Sequence, residues 1–389
     1  LLQLLLGKKK YMNRYISYLS SILKPNSSVV REGKFKDAID AYNKNNYTLA
    51  KELFYLLATQ GDVISQWHLG WMYKNGEGVI QDNAEAAKWY RKAADQGDAR
   101  AQFNLALMYK RGEGITQDFV ESEKWFHKAS DQGDVEAQFN LALMYKNGEG
   151  VIQDPKEASK WFLLAAKQGN AKAQTILGFL YCKGQGVIQD YKEAVKWYQR
   201  SAEQGYDVGQ FNLGLMYKKG KGVVQDFQKA VKWFRKSGDQ GYSNAQFNLG
   251  LMYENGENVM QNYKIAAQWY RLSARQGHAK AQFNLGLMYE NGEGVIQDYE
   301  EAVKWYRLSA EKGNTKAKSN LGVMYGNGQG ISQDYVFAHM WCNLAASDGH
   351  SIARENRERI SKKMTLAQVC DAQNMAREYN KRKSMGHIL

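Results

Sequence analysis

The tetrad Ser309-Ala310-Glu311-Lys312 has the S-x-x-K spacing in which a lysine one helical turn along can draw the proton from a nucleophilic serine. Ser21 and Lys24 repeat that spacing. Elsewhere the same column reads Ser201-Ala202-Glu203-Gln204 and Ser273-Ala274-Arg275-Gln276, which marks a helix end where small residues pack. Glycine pairs such as Gly148/Gly150 invite a phosphate cradle, but a dinucleotide loop needs a preceding strand and a third glycine, and neither is present. His127, His278 and His339 never pair at ligand spacing, so no metal and no cofactor is expected. Cys182, Cys342 and Cys370 are odd in number and irregular in spacing, which reads as free structural thiols. Carboxylates of the Asp82 type are read as helix caps before catalysts. No catalytic residue is assigned, and the chain is read as a non-enzyme.

The elements that carry these residues repeat. Glycine recurs from Gly61 through Gly97 and Gly133 to Gly349, always 36 residues apart. Tryptophan does so from Trp89 to Trp341, and tyrosine from Tyr73 to Tyr325. In residues 98–133, Ala101, Leu105, Met108 and Tyr109 lie on one face of a first helix, A. Gly112 stops it, since glycine takes the left-handed conformation that closes a helix. Asp118, with Glu121 three residues on, has the spacing of a capping box and opens a second helix, B, which buries Trp125, Phe126 and Ala129. Small residues (Gly70, Ala106, Ala142, Gly178, Gly214) fall where helices must approach closely. One pair cannot bury its own apolar face, so stacking must complete the core.

The expected organisation is an arm or targeting segment over 1–32, a shortened opening repeat over 33–61, eight repeats over 62–349, and a helical cap with a basic tail over 350–389. Thr365 with Gln368 starts the last helix, which should bury Val369, Ala372, Met375 and Ala376. The net charge of +13 resides mainly in the flanks: +6 in residues 1–61 and +5 in 350–389. Nucleic-acid binding wants basic residues along one face of the folded body, so it is not expected beyond a salt-dependent contact of the tails with nucleic acid or anionic membrane. No segment reads as a membrane span; Leu1–Leu6 is too short. The first residue is Leu1, and the compartment stays open between cytoplasm and export. A monomer is expected.

The unit at 281–313, with Leu285, Gly286, Met288, Tyr289, Gly292, Gly294, Ala302, Trp305, Tyr306, Ala310 and Gly313, resembles the Sel-one-like repeat, a relative of the tetratricopeptide repeat. The resemblance implies an all-α, right-handed superhelical α-solenoid that works as an adaptor for other proteins or peptide segments. Some cysteine-rich bacterial relatives are linked to β-lactam binding or hydrolysis. Those carry a cysteine pair in each repeat, and this chain does not.

In such stacks helix A lines the concave wall. With Leu105 at the centre of the buried face, Phe103 and Leu107 fall on the opposite side, with Lys110 beside them. The same stripe holds Phe139, Leu143 and Lys146, then Phe211, Leu215 and Lys218, then Phe247, Leu251 and Glu254, and finally Phe283, Leu287 and Glu290. Two readings stand: an apolar groove for a partner, or packing between adjacent A helices. The change from lysine to glutamate would favour a bound chain with acidic residues toward the early repeats, or is ordinary solvated charge. An asparagine column from Asn104 to Asn320 fits backbone recognition or an internal contact equally.

Overall fold

A computed structural model describes residues 29–384, and among these it contains twenty helices and no strand. The chain divides into two compact units, Leu1–Leu164 and Ala165–Leu389, built on the same plan. Ser21, Lys24, Leu1–Leu6 and most of the 1–32 arm lie outside the described residues, as do the last five residues. The first described helix, Val29–Asn43, crosses the expected boundary at 32/33.

Each repeat is an A helix and a B helix of 13 residues, for instance Ala99–Arg111 and Phe119–Asp131. The A helix ends at Gly112, whose φ of 70° is left-handed. Asp118 caps the B helix by accepting from the amides of Val120 and Glu121. The expected capping box is only half made, because the Asp118 amide donates to Tyr109 and Glu121 turns to Lys124. Thr365 and Gln368 do close a reciprocal box, and Ala372 and Ala376 beyond it are buried while Val369 and Met375 are half-buried.

The core repeats with the sequence. Leu105, Met108 and Phe126 are buried in one repeat, and Leu249, Met252 and Tyr270 in another. The small column on helix A makes room for the second B-helix aromatic: a Cβ on Gly214 would lie 2.8 Å from the ring of Phe234. Trp89, Trp125, Trp161, Trp197, Trp305 and Trp341 are buried, whereas Trp233 and Trp269 are half-buried.

Two glutamine columns, not singled out in the sequence, bind the repeats together. The buried Gln102 amide donates to the Ala94 carbonyl at the end of the preceding B helix, at 3.1 Å. Gln132, at the end of its own repeat, donates to the Gln102 oxygen at 2.8 Å. In the second unit Gln210 and Gln240 repeat both bonds, to Ala202 at 3.2 Å and to Gln210 at 2.8 Å. A buried helix end needs such partners for its last carbonyls. Near the C-terminus the pair becomes ionic: Lys318 Nζ lies 2.6 Å from Asp348.

One repeat of the first unit carries a pH-sensitive substitution. His68 takes the place of the column asparagine, is buried, and stacks on Phe54 with ring centroids 4.4 Å apart. Neither ring nitrogen has a hydrogen-bond partner. Burial first, and the Arg100 charge second, push its pKa down from 6.5 to about 3. An unfolded histidine takes a proton below pH 6.5 and this folded one does not, so its contribution is full above that pH and falls as pH drops toward about 3. His68→Phe should therefore lose about 2–3 kcal/mol less stability than wild type between pH 6.5 and about 4.5. Denaturant melts at the two pH values test this, and equal losses in both proteins would contradict it.

Candidate functional site: the A-helix wall

Every stripe residue on the A helices is half-buried. In the first unit these are Phe103, Leu107 and Lys110 on Ala99–Arg111, and Phe139, Leu143 and Lys146 on Val135–Asn147. In the second they are Phe211, Leu215 and Lys218 on Asp207–Lys219, Phe247, Leu251 and Glu254 on Ser243–Asn255, and Phe283, Leu287 and Glu290 on Ala279–Asn291.

The stripe phenylalanines are not turned wholly away from their own repeat, as a helical wheel suggests. Phe103 rests on Phe126 of its own B helix with centroids 5.8 Å apart, and Phe139 on Phe162 at 5.9 Å. Phe211 lies against Phe234 at 5.6 Å and Tyr242 at 5.1 Å. Phe247 lies against Tyr270 at 5.8 Å and stacks on His278 at 4.6 Å. Helices of finite width leave room at the A/B seam for a ring that a wheel places on the far side. Toward the next repeat, Phe211 and Leu215 pack against a core containing Leu249 and Met252. Phe283 and Leu287 do the same against one containing Leu321 and Met324. Packing thus uses one side of each residue and leaves the other in solvent.

The two glutamates of the stripe, Glu254 and Glu290, have an internal role. Where the second B-helix aromatic is phenylalanine, as at Phe126, Phe162 and Phe234, the A helix carries Lys110, Lys146 and Lys218. Where it is Tyr270 or Tyr306, the A helix carries Glu254 or Glu290. The Tyr270 hydroxyl donates to the Glu254 carboxylate and the Tyr306 hydroxyl to Glu290. A phenol taken out of water needs an acceptor, and these carboxylates supply it. Burial, then the neighbouring carboxylate, pushes both phenols above their ordinary pKa. Two of the lysines reach instead to the loop of the following repeat: Lys110 Nζ lies 2.8 Å from Glu149, and Lys218 Nζ 2.8 Å from Glu257. The tyrosine–glutamate pairing is not general: Tyr90 stands sixteen residues from Lys74 and its buried hydroxyl has no hydrogen-bond partner, and Tyr198 stands with Cys182.

The asparagine column turns inward. Asn104, Asn140, Asn212 and Asn248 each donate to a carbonyl four residues back in their own helix, and Asn284 donates to the Tyr270 hydroxyl.

The other candidates are occupied by structure. Ser309 is buried and its hydroxyl donates to the Ala279 carbonyl at 2.7 Å. His278 caps an A helix by accepting from the Ala281 amide at 3.1 Å, and His339 is buried. Among the described residues no group of histidine, cysteine and carboxylate side chains is arranged to hold a metal ion. The three cysteines are free, and burial pushes the Cys342 thiol up to about 12. The second loop glycines prove to be close-contact points: a Cβ on Gly114 would lie 2.2 Å from the Asn83 backbone. No described helix is long and apolar enough to cross a membrane.

Tandem helix pairs that complete their cores on one another, with serines, histidines and glycines consumed by that packing, define an all-α solenoid of two-helix repeats. The Sel1 repeat profile matches nine consecutive segments, residues 43–62, 63–98, 99–134, 135–170, 171–206, 208–242, 243–278, 279–314 and 315–350. The chain belongs to the Sel1 repeat family, whose members generally serve as protein-interaction scaffolds. A Sel1 repeat protein from Oxalobacter formigenes is 32% identical over 79% of this chain and 89% of its own, with a TM-score of 0.65. The protein c5321, a protective antigen present in uropathogenic Escherichia coli strains and displaying an SLR fold, is 32% identical over 90% of this chain and 92% of its own, with a TM-score of 0.51. No curated protein matches the chain.

Proposed function

We propose that the chain is a non-catalytic scaffold that holds segments of other proteins against the wall of A helices. The observation that carries this reading is the half-buried phenylalanine–leucine row, present in the same register in each unit. One side of each phenylalanine is fixed by aromatic packing, so the exposed side is presented at little further cost in side-chain entropy. Rigid aromatic anchors of this kind dominate binding energy at protein interfaces. Four of the five charges beside the row are engaged with Glu149, Glu257, Tyr270 and Tyr306, so apolar contact rather than net charge is the main attraction. The hydrolase alternative gains nothing from Ser309, whose hydroxyl is buried and already bonded. For the basic-tail alternative, the described part is the last turn of Leu366–Ser384, with Lys381, Arg382 and Lys383.

The double change Phe211→Ser with Phe247→Ser tests the reading. Partner proteins captured from the native cell by the wild-type chain should be held at least tenfold more weakly by the variant, with helical circular dichroism unchanged. Half-buried rings lose part of the 1.5–3 kcal/mol typical of full burial, so the fold should survive. Loss of helicity would show that the row serves packing alone, and undiminished capture would remove the wall from the interaction.

A further inference from the structure

The loops between the A and B helices carry a second apolar row, which neither the core nor the A-helix wall uses. In the second unit Ile188, Val224, Met260 and Ile296 occupy the same loop position in successive repeats and are 90%, 88%, 90% and 91% exposed. Side chains of this kind are seldom left so bare in register, and contiguous exposed apolar surface marks an interaction site. The loops are neighbours. Lys218, at the end of one A helix, is bonded to Glu257 in the next loop, and Gly294 in the loop after that lies against the backbone of Tyr263 and Lys264. Packed helices stand about 8–10 Å apart, so the tips from Val224 to Ile296 span about 16–20 Å.

The charge along this edge is polar. The Val224 loop is flanked by the exposed Lys219 and Lys221. The Ile296 loop is flanked by Glu293 and the exposed Glu300. Between them, Glu254 and Glu257 are already engaged, by Tyr270 and Lys218. An edge that is basic at one end, acidic at the other and apolar throughout complements itself when reversed. We propose that this edge pairs with the same edge of a second copy of the chain. The two run antiparallel about a two-fold axis at Met260, so that the Val224 loop of each copy meets the Ile296 loop of the other. A two-fold contact of this kind requires that each residue pair off the axis occur twice, so the contact between the Val224 and Ile296 loops is made twice and Met260 meets its own copy once. An axis between Val224 and Met260 would seat Ile188 on Ile296 as well, but it would set Lys219 and Lys221 against carboxylates that are already bonded; matching of the charges selects the register centred on Met260. An anionic membrane would be repelled by the acidic end of the row. The pairing replaces the monomer expected from the sequence and leaves the A-helix wall free.

Sedimentation velocity of the full chain, across a concentration series from nanomolar to tens of micromolar, should show mass rising from 44.4 kDa to twice that. The triple variant Val224→Ser, Met260→Ser, Ile296→Ser should remain at the single-chain mass with unchanged helicity. Lys219→Glu with Lys221→Glu should weaken self-association at least tenfold, as should Glu293→Lys with Glu300→Lys. Mixing these two charge variants should restore a dimer, since each supplies the other's complement. A wild-type chain that stays single at every concentration, whether or not it sediments with phosphatidylglycerol vesicles, overturns the proposal. So does a dimer that survives in the serine variant, or charge variants that fail to pair when mixed.

Discussion

Gly222→Ala is expected to open the seam between two repeats of the second unit and to cost about 2–6 kcal/mol. Gly222 has a φ of 71°, where a side chain is strained, and a Cβ there would lie 2.2 Å from the Tyr191 carbonyl oxygen and 2.4 Å from its carbon. The neighbour is backbone at the first turn of Tyr191–Glu203, so no rotamer can relieve the overlap. The loop must lift, and with it the hold of one repeat on the preceding one. Asn258 stands where the neighbouring repeats have glycine, with a φ of 55°; its seam is built around a Cβ, whereas the seam at Gly222 is closed to within 2.2 Å of where a Cβ would lie. Asparagine tolerates that region at a small penalty, so Asn258→Gly should raise stability by about 0.5–1 kcal/mol. Chemical denaturation of the two variants beside wild type should move the midpoint in opposite directions. A neutral Gly222→Ala would show that the loops do not clamp the repeats.

Trp197→Ala should cost about 3–5 kcal/mol, as truncation of a buried aromatic does. Trp197 is buried on helix Tyr191–Glu203, with Arg200 over its ring at 4.7 Å to the centroid. Repeats couple chiefly to their neighbours, so the damage should be local and the melt broadened rather than only shifted. Hydrogen exchange should quicken over residues 171–239 well before it quickens over Thr315–Ser361. A single sharp transition of wild-type width would mean that the second unit unfolds as one block. Trp233 and Trp269, which are only half-buried, should give smaller losses when truncated.

Much of this protein was legible as a pattern of types and intervals. Evenly spaced Gly, Trp and Tyr residues marked the helix pairs, because a period of one structural unit shows directly along a chain. Caps were also legible, because Asp118 and Gly112 act on backbone within a few residues of themselves. The phenylalanine–leucine row was legible as a stripe, but its two sides were not. Which side of Phe211 meets Phe234 and Tyr242, and which meets water, depends on how two helices and the next repeat come together. The same holds for the glutamine ladder and for the pairing of Glu254 with Tyr270, contacts between residues 8 to 30 positions apart. The exposure of Val224, Met260 and Ile296 was hidden for the opposite reason. An aliphatic residue in a repeating column reads as core until the folded chain shows that nothing lies over it. Local chemistry acts on neighbours along the chain and can be read there; burial is a property of the whole packed volume, and only folding assigns it.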